Sequence, residues 1–375
     1  MEEKVIEKKC IGCGVELQHE DKNGIGYVPE EKFISEENLL CQRCFKIKNY
    51  GTNIENPFGK EDYNKVVKDA INGSNIILPI FDIIDFEGSF SEEILDYLRD
   101  YRSIVLINKI DLLPGYIHPT EIADWVKSRL GEESIIPDQI SFLSTKSKYG
   151  INGVIKKISN MFGENKVRAV IFGATNVGKS SLINLLTKNP NLTVSKYAGT
   201  TLKVVNNKIP STNITIVDTP GLIPEGRLSD LLSAEASLQL VPNNEISRKT
   251  FKLDDGQVFM FDELCYFKIL NNNADYNAIF SVYSSKDVKF HVTNENRVDE
   301  LIESNFFTLL SKEESKEYHQ LDWVTKKITV AESEELAIAG LGWLNVKRGP
   351  LEIELRIPKS VKIVKRKGIF NSSKR

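Results

Sequence analysis

Between residues 63 and 219, short apolar runs alternate with amphipathic stretches. Residues 75–81, 103–107, 167–172 and 214–217 are nearly unbroken apolar segments rich in Val and Ile. Strands covered on both faces of a parallel sheet read this way. Between them, residues 91–102, 119–130, 151–162 and 179–187 carry apolar positions at helical spacing. Such alternation predicts an α/β domain built on a parallel sheet. Residues 227–241 predict one more amphipathic helix. Beyond Pro242 the texture changes to β-branched and aromatic residues with frequent turns, and Leu351, Ile353, Leu355 and Ile357 alternate with polar neighbours. This predicts a mostly antiparallel β domain with one helix near 297–310. Pro57 and Gly59 mark a linker after the first fifty residues. The expected domains are 1–58, 59–226 and 227–375.

Composition sharpens this only slightly. The chain has 375 residues, 41% hydrophobic and 27% charged, ordinary for a globular protein of two or three domains. The apolar run near residue 80 is interrupted by Asp82 and Asp85, so no stretch approaches the roughly 18 residues of a membrane span. The start, MEEKVIEKKC, has no apolar signal core. A cytoplasmic location without a membrane partner is expected. The net charge of −3 is uneven. Residues 346–375 hold ten basic and two acidic side chains, a local +8 that leaves −11 elsewhere. This asymmetry suits an anionic partner such as nucleic acid. The basic stretch 362–367 is the candidate RNA surface. Trp343 and Phe370 are candidates for base stacking, although core packing suits Trp343 better. Cys265, in an aromatic run, reads as core.

The chemistry begins with GATNVGKS, residues 173–180. It follows the apolar run VRAVIF and opens a helical run, the setting a phosphate loop requires. Gly173 and Gly178 let backbone N–H groups turn toward phosphates. Lys179 adds a positive charge, and the Ser180 hydroxyl can ligate Mg²⁺. Asn176, Val177 and Ser181 complete the expected nucleotide contacts, and the helix N-terminus adds its dipole.

A second motif, Asn108-Lys109-Ile110-Asp111, closes the run SIVLI. The Asp111 carboxylate can accept from the N1–H and 2-amino group of guanine, a donor pair adenine lacks. The Lys109 stem can cover the ring, and Asn108 can tie this loop to the phosphate loop. Ser144-Thr145-Lys146 resembles the SAK element, whose backbone N–H contacts the guanine oxygen. Asp218-Thr219-Pro220-Gly221 places a carboxylate to reach Mg²⁺ and a Gly221 N–H for the terminal phosphate. Of the pair Thr200 and Thr201, Thr201 is the expected switch threonine on Mg²⁺. Lys179, Thr201, Gly221 and Asn176 are the expected catalytic set. Together these elements resemble the Ras-like GTPases, but there the phosphate loop comes first and NKxD late. Here the order is NKID, STK, phosphate loop, TT, DTPG, which is a circular permutation. A chain tolerates this when it opens a surface connection between close ends.

Four of the five cysteines form two CxxC pairs, Cys10/Cys13 and Cys41/Cys44. Four thiolates suit a closed, tetrahedral, structural Zn²⁺ site. Redox-active thiols are the other reading of such pairs.

The permuted order, the N-terminal cysteines and the C-terminal β domain together resemble the YqeH-type permuted GTPases. So do FDIIDFEGS (residues 81–89), KFHVT (289–293) and GLGW (340–343). The resemblance implies GTP/GDP binding and hydrolysis, a role in small (30S) ribosomal subunit assembly, and docking on rRNA through the terminal domains. A monomer is expected. Leu222 follows Gly221 where many GTPases have Gln, and Leu cannot orient water. Similarity to other hydrophobically substituted GTPases points to Asn176 as a K⁺ ligand. Two other readings stay open: an RNA-binding scaffold using GTP as a structural ligand, and a GTPase serving a tRNA-modifying or membrane partner.

Overall fold

The computed structural model describes residues 8, 16–22, 26–35, 39, 41–42, 60–115, 117–188, 204–222, 224–242, 244–270 and 277–369. By packing, the chain divides into two units. One comprises Met1–Asp82, Glu92–Ile110 and Ile136–Ile223, the other Ile83–Ser91, Asp111–Ile135 and Pro224–Arg375. Segments 83–91 and 111–135 thus pack with the C-terminal residues.

The first unit is built on a six-stranded sheet. Its strands are β1 (Ile76–Asp82), β2 (Ile104–Asn108), β3 (Gln139–Phe142), β4 (Val167–Phe172), β5 (Val205–Lys208) and β6 (Ile214–Asp218), in the spatial order β3-β2-β1-β4-β6-β5. All neighbours are parallel except β5, which runs antiparallel to β6. Every residue of β1 and β2 is buried, because helices cover both faces of such a sheet. β5, sequence VNNK, is mostly exposed at the edge. A polar edge strand resists pairing with another chain. It carries no apolar signal, which is why the sequence does not announce it. Helices Ile151–Phe162 and Lys179–Thr187 pack on each other and on the sheet. Their Ile151, Val154, Ile158, Leu182, Ile183 and Leu186 join Ile76, Leu78 and Ile80 of β1, with Leu106 and Ile171, in one apolar core. The parallel strands all point their carboxyl ends the same way, so the turns after β1, β2, β4 and β6 gather at one edge. Open α/β sheets bind ligands there.

The second unit holds two five-stranded antiparallel sheets. In the first, β7 (Ser247–Lys252), β10 (Ile279–Ser284), β14 (Gly342–Arg348), β13 (Glu334–Ile338) and β16 (Ile363–Lys367) are neighbours in that order. In the second the order is β11 (Phe290–Asn294), β8 (Gln257–Phe261), β9 (Cys265–Ile269), β15 (Leu351–Pro358) and β12 (Trp323–Val330). The period-two pattern of β15 buries Leu351, Ile353, Leu355 and Ile357, and Cys265 lies in the same core with its thiol pushed well up by burial. Trp343 is core as well, stacked on Tyr283 with centroids 5.0 Å apart.

Helices in this unit depart from expectation. The predicted helix 227–241 is broken into a 3-10 turn, Leu228–Leu231, and a short helix, Ala234–Gln239. Ser233 starts the second piece by accepting from the Ala236 N–H, and an N-cap residue is not itself helical. The helix expected near 297–310 is only Val298–Glu303. A second one, Lys312–His319, follows; its polar composition hides it from an apolar-periodicity reading. Its capping box, Ser311 with Glu314, is the available signal.

The expected RNA surface at 362–367 also needs correction. Arg366 is buried, its Nε 3.2 Å from Glu335 and its Nη1 3.2 Å from Glu87. Lys362 is half-buried and donates to the carbonyls of Glu87 and Phe90. Only Lys365 and Lys367 face outward. Four basic positions so close in sequence look like one cationic stripe, but a β-strand sends successive side chains to opposite faces. Phe370 lies outside the described residues.

Candidate nucleotide site

The turn after β4 is the phosphate loop. Gly178 stands at φ +100°, and a Cβ there would lie 2.2 Å from Asn108 Nδ2. Both conformation and space therefore demand glycine. Asn176 also sits at positive φ, 66°, at the exposed tip, a conformation Asn tolerates better than most. Helix Lys179–Thr187 begins immediately after, aiming its N-terminal amides into the loop. Ser180 and Ser181 are half-buried in its first turn.

Lys179 is 8% exposed, and its Nζ donates to the Gly173 and Ala174 carbonyls at 2.8 and 2.6 Å. The DTPG turn lies against it: a Cβ on Gly221 would be 3.3 Å from that Nζ. At the end of β6, burial pushes the Asp218 carboxyl up to about 6, against the opposing pull of Lys179 and the Thr219 N–H. A buried carboxylate that lacks enough compensating charge suits a divalent cation, as does the neighbouring Ser180 hydroxyl. The donor set fits Mg²⁺. Thr201 lies outside the described residues.

Leu222 stands where many GTPases carry glutamine, and its contribution is made by its backbone. That backbone clamps this turn to the phosphate loop: Leu222 N–H donates to Gly173 O and Thr175 N–H to Leu222 O, both at 3.0 Å. Backbone pairing of this kind leaves no side-chain signature in a sequence.

At the end of β2, Asn108 is fully buried. Its Nδ2 donates to the Val177 carbonyl at 2.7 Å, and its Oδ1 accepts from the Thr145 N–H at 3.1 Å. One amide thus ties the NKID strand to both the phosphate loop and the STK turn. The Thr145 amide is thereby committed to Asn108. Ser144 is buried, and its Oγ accepts from the Ser147 N–H at 3.0 Å; Lys146 is exposed beside it. Lys109, at φ 65°, sends its Nζ 2.5 Å from Asp82 at the end of β1. Asp82 is thus a site-flanking residue that sequence reasoning misses, although it opens the DIIDF segment. Asp111 is half-buried in the 3-10 turn Ile110–Leu112.

Of the cysteine set, Cys41 is buried with Leu17, Val28 and Leu39. Cys10, Cys13 and Cys44 lie outside the described residues. Among the described residues no group of three or more His, Cys, Asp or Glu forms a metal cluster, and no helix is long and apolar enough to cross a membrane.

Sequence comparisons with known proteins point the same way. Residues 168–262 match the family model described as "50S ribosome-binding GTPase", and residues 277–369 match "YqeH-like, C-terminal". The chain is 28% identical to YqeH of Bacillus subtilis, over 98% of this chain and all of that one. It is 25% identical to NO-associated protein 1, chloroplastic/mitochondrial, of Arabidopsis thaliana, over 90% of this chain and 69% of that one. Among solved structures it aligns with GDP-bound TM YlqF at 20% identity and a TM-score of 0.31, covering 47% of this chain and 64% of that one. A phosphate loop pinned by Asn108 to a guanine-type motif, followed by a YqeH-like C-terminal region, makes this chain a GTP-hydrolysing enzyme of the YqeH type.

Proposed function

We propose that the protein is a Mg²⁺-dependent GTP switch in circularly permuted order that acts in assembly of the small ribosomal subunit and docks on rRNA through its terminal regions, in the cytoplasm, as a monomer. The observation that carries the nucleotide part is the buried Asn108 amide, which bridges the Val177 carbonyl and the Thr145 N–H. A base-reading strand has no reason to be fastened to a phosphate loop unless both serve one ligand. In this reading Asp111 selects guanine, and Gly173, Asn176, Val177, Gly178 and Ser181 surround the phosphates with Lys179. Ser180, Asp218 and Thr201 hold Mg²⁺, which supplies neutralisation of phosphate charge. Water attacks the terminal phosphorus, the bond to the bridging oxygen breaks, and GDP and phosphate leave. Lys179 and the Gly221 N–H stabilise the charge that develops on the phosphoryl oxygens.

The test is competitive binding of GTP and ATP, followed by cosedimentation with purified subunits. Wild-type protein should prefer GTP by at least about 100-fold, and Asn108→Ala should weaken GTP binding by about tenfold, since one buried amide network is lost. Equal affinity for the two nucleotides would sink the guanine reading. The matching GTPase model names the 50S subunit, so association with the large subunit in place of the small one is the second reading, decided by the same sedimentation.

Two cation assignments belong to this proposal. Asn176, exposed at the tip of the phosphate loop, is assigned to K⁺; turnover should be faster in KCl than in NaCl and insensitive to that exchange in Asn176→Ala. Cys10, Cys13, Cys41 and Cys44 are assigned to a structural Zn²⁺. Among the described residues, Leu17, Val28 and Leu39 pack around Cys41, and a small core gains from a cross-link or metal. Elemental analysis should find one zinc per chain, lost in Cys41→Ser.

A further inference from the structure

The C-terminal unit contains a cleft of about 750 Å³ that plays no part in the chemistry at the phosphate loop. Helices Val298–Glu303 and Lys312–His319 and strands β12 and β15 contribute to its lining. One wall is aromatic. The half-buried Trp323 ring stacks on His319, with centroids 5.4 Å apart and planes at 14°, and the Arg356 guanidinium lies 5.9 Å from the Trp323 centroid. This wall is braced from within: the carboxylate of Glu263, 3% exposed, sits 3.1 Å from His319 Nε2 and also accepts from the Ser315 hydroxyl. A brace on an exposed-side aromatic is what a recognition surface needs and a solvated surface does not.

The rest of the lining is divided by charge. Helix Lys312–His319 contributes Lys312 and Lys316, four residues apart and both exposed. Helix Val298–Glu303 contributes Asp299 and Glu303, also four apart. Such spacing puts each pair on one face of its helix. A purely anionic ligand would meet the two carboxylates unfavourably. A nucleotide suits both: its phosphate takes the lysines, its ring takes the Trp323 and Arg356 wall, and an exocyclic amino group donates to a carboxylate.

We propose that this cleft binds one nucleotide of single-stranded RNA carrying an amino-bearing base. The proposal deepens the reading that the C-terminal region docks on RNA, and rests on it.

Tryptophan fluorescence reports the cleft directly. The chain has three tryptophans; Trp125 and Trp343 are buried, and Trp323 is half-buried. Full-length protein is titrated at low salt with short oligocytidylate and oligouridylate, pyrimidines that differ in the amino group. Oligocytidylate should quench the emission and bind about fivefold or more tighter than oligouridylate. Lys316→Glu should weaken it about tenfold while leaving GTP hydrolysis unchanged, and the salt dependence should have a log–log slope of about −1.4 for the two lysine contacts to phosphate. Trp323→Phe should lose the quenching but still bind labelled oligonucleotide by anisotropy. Absence of quenching, equal affinity for the two oligomers, indifference to Lys316→Glu, or displacement by polyglutamate would each overturn the assignment; the last would make the ligand an acidic peptide. Cosedimentation with a ribosomal subunit is measured in parallel. Retained cosedimentation without quenching discards the cleft and leaves the ribosomal reading standing.

Discussion

Lys179→Ala should lower single-turnover GTP hydrolysis by about 100- to 1000-fold, the range for removing one preorganised charge from a phosphoryl-transfer site. The expectation rests on where the ammonium already is. It is held at 2.8 and 2.6 Å by two carbonyls of its own loop, next to the Gly221 backbone and near the Asp218 carboxyl. Little reorganisation is then needed for it to meet developing phosphate charge. Lys179→Arg should not rescue, because Gly221 and Thr175 crowd the site and a planar guanidinium needs more room than an ammonium. Folding is checked by the tryptophan signal. All three tryptophans lie in the second unit, so their unfolding midpoint reports that unit alone, and far-UV circular dichroism of the whole chain checks the first unit, which holds Lys179. A variant retaining a third of wild-type turnover would remove Lys179 from the catalytic set.

The second large effect is on stability. Glu87→Ala should destabilise the C-terminal unit by about 3–5 kcal/mol, the usual cost of stripping one partner from a buried ion cluster. Glu87 is 2% exposed. Its Oε1 accepts from Arg129 Nε at 3.1 Å and Arg366 Nη1 at 3.2 Å, and its Oε2 from Arg129 Nη2 at 3.2 Å. Burial alone would raise its carboxyl, but Arg366 and Arg129 together hold it below the ordinary 4.5. The sign follows: a carboxylate depressed in the folded state contributes stability above its unfolded value and loses it as pH falls through the folded value. The penalty in Glu87→Ala should therefore be full at pH 7 and shrink once the pH drops below 4.5. Urea unfolding followed by tryptophan emission measures both. Equal midpoints for variant and wild type at pH 7 would show that the cluster contributes specificity and not stability.

This cluster also gives the segment 83–91 a structural meaning. Asp85 Oδ1 accepts from the Gly340 N–H at 2.8 Å. A Cβ on Gly88 would lie 2.3 Å from the Asp85 carboxylate. Phe86 meets Trp125 edge-on at 5.0 Å, and the Trp125 indole donates to Lys367 O at 2.8 Å. The motif DFEGS, legible in the sequence only as a family resemblance, is a plug for the C-terminal unit. It follows closely on Asp82, the partner of Lys109.

Much of the nucleotide site is legible without coordinates. Gly178, Lys179 and Ser180 fall in a turn and helix start after an apolar run, a local backbone conformation with a local code, and Asn108 and Asp218 fall at the ends of β2 and β6, as the apolar runs before them indicate. β1, β2, β4 and β6 are likewise legible, since burial on both faces demands continuous apolar residues. Reading fails where the determinant is distant or backbone-only. Nothing near Arg366 indicates that Glu87 and Glu335 will bury it, so four basic positions look like one surface. The Leu222 clamp uses atoms that every residue possesses.

The amino-acid order alone thus determined the chemistry of the loop, the kind of sheet beneath it and the change to antiparallel β structure after Pro242, since each follows from contacts between near neighbours in the chain. Tertiary packing alone decided which charges remain in water, how the Leu222 backbone clamps onto the phosphate loop, and where Trp323 and the two lysines gather around one cleft. Those outcomes depend on the pairing of residues far apart in the chain, and solvation energy is settled only when that pairing is complete.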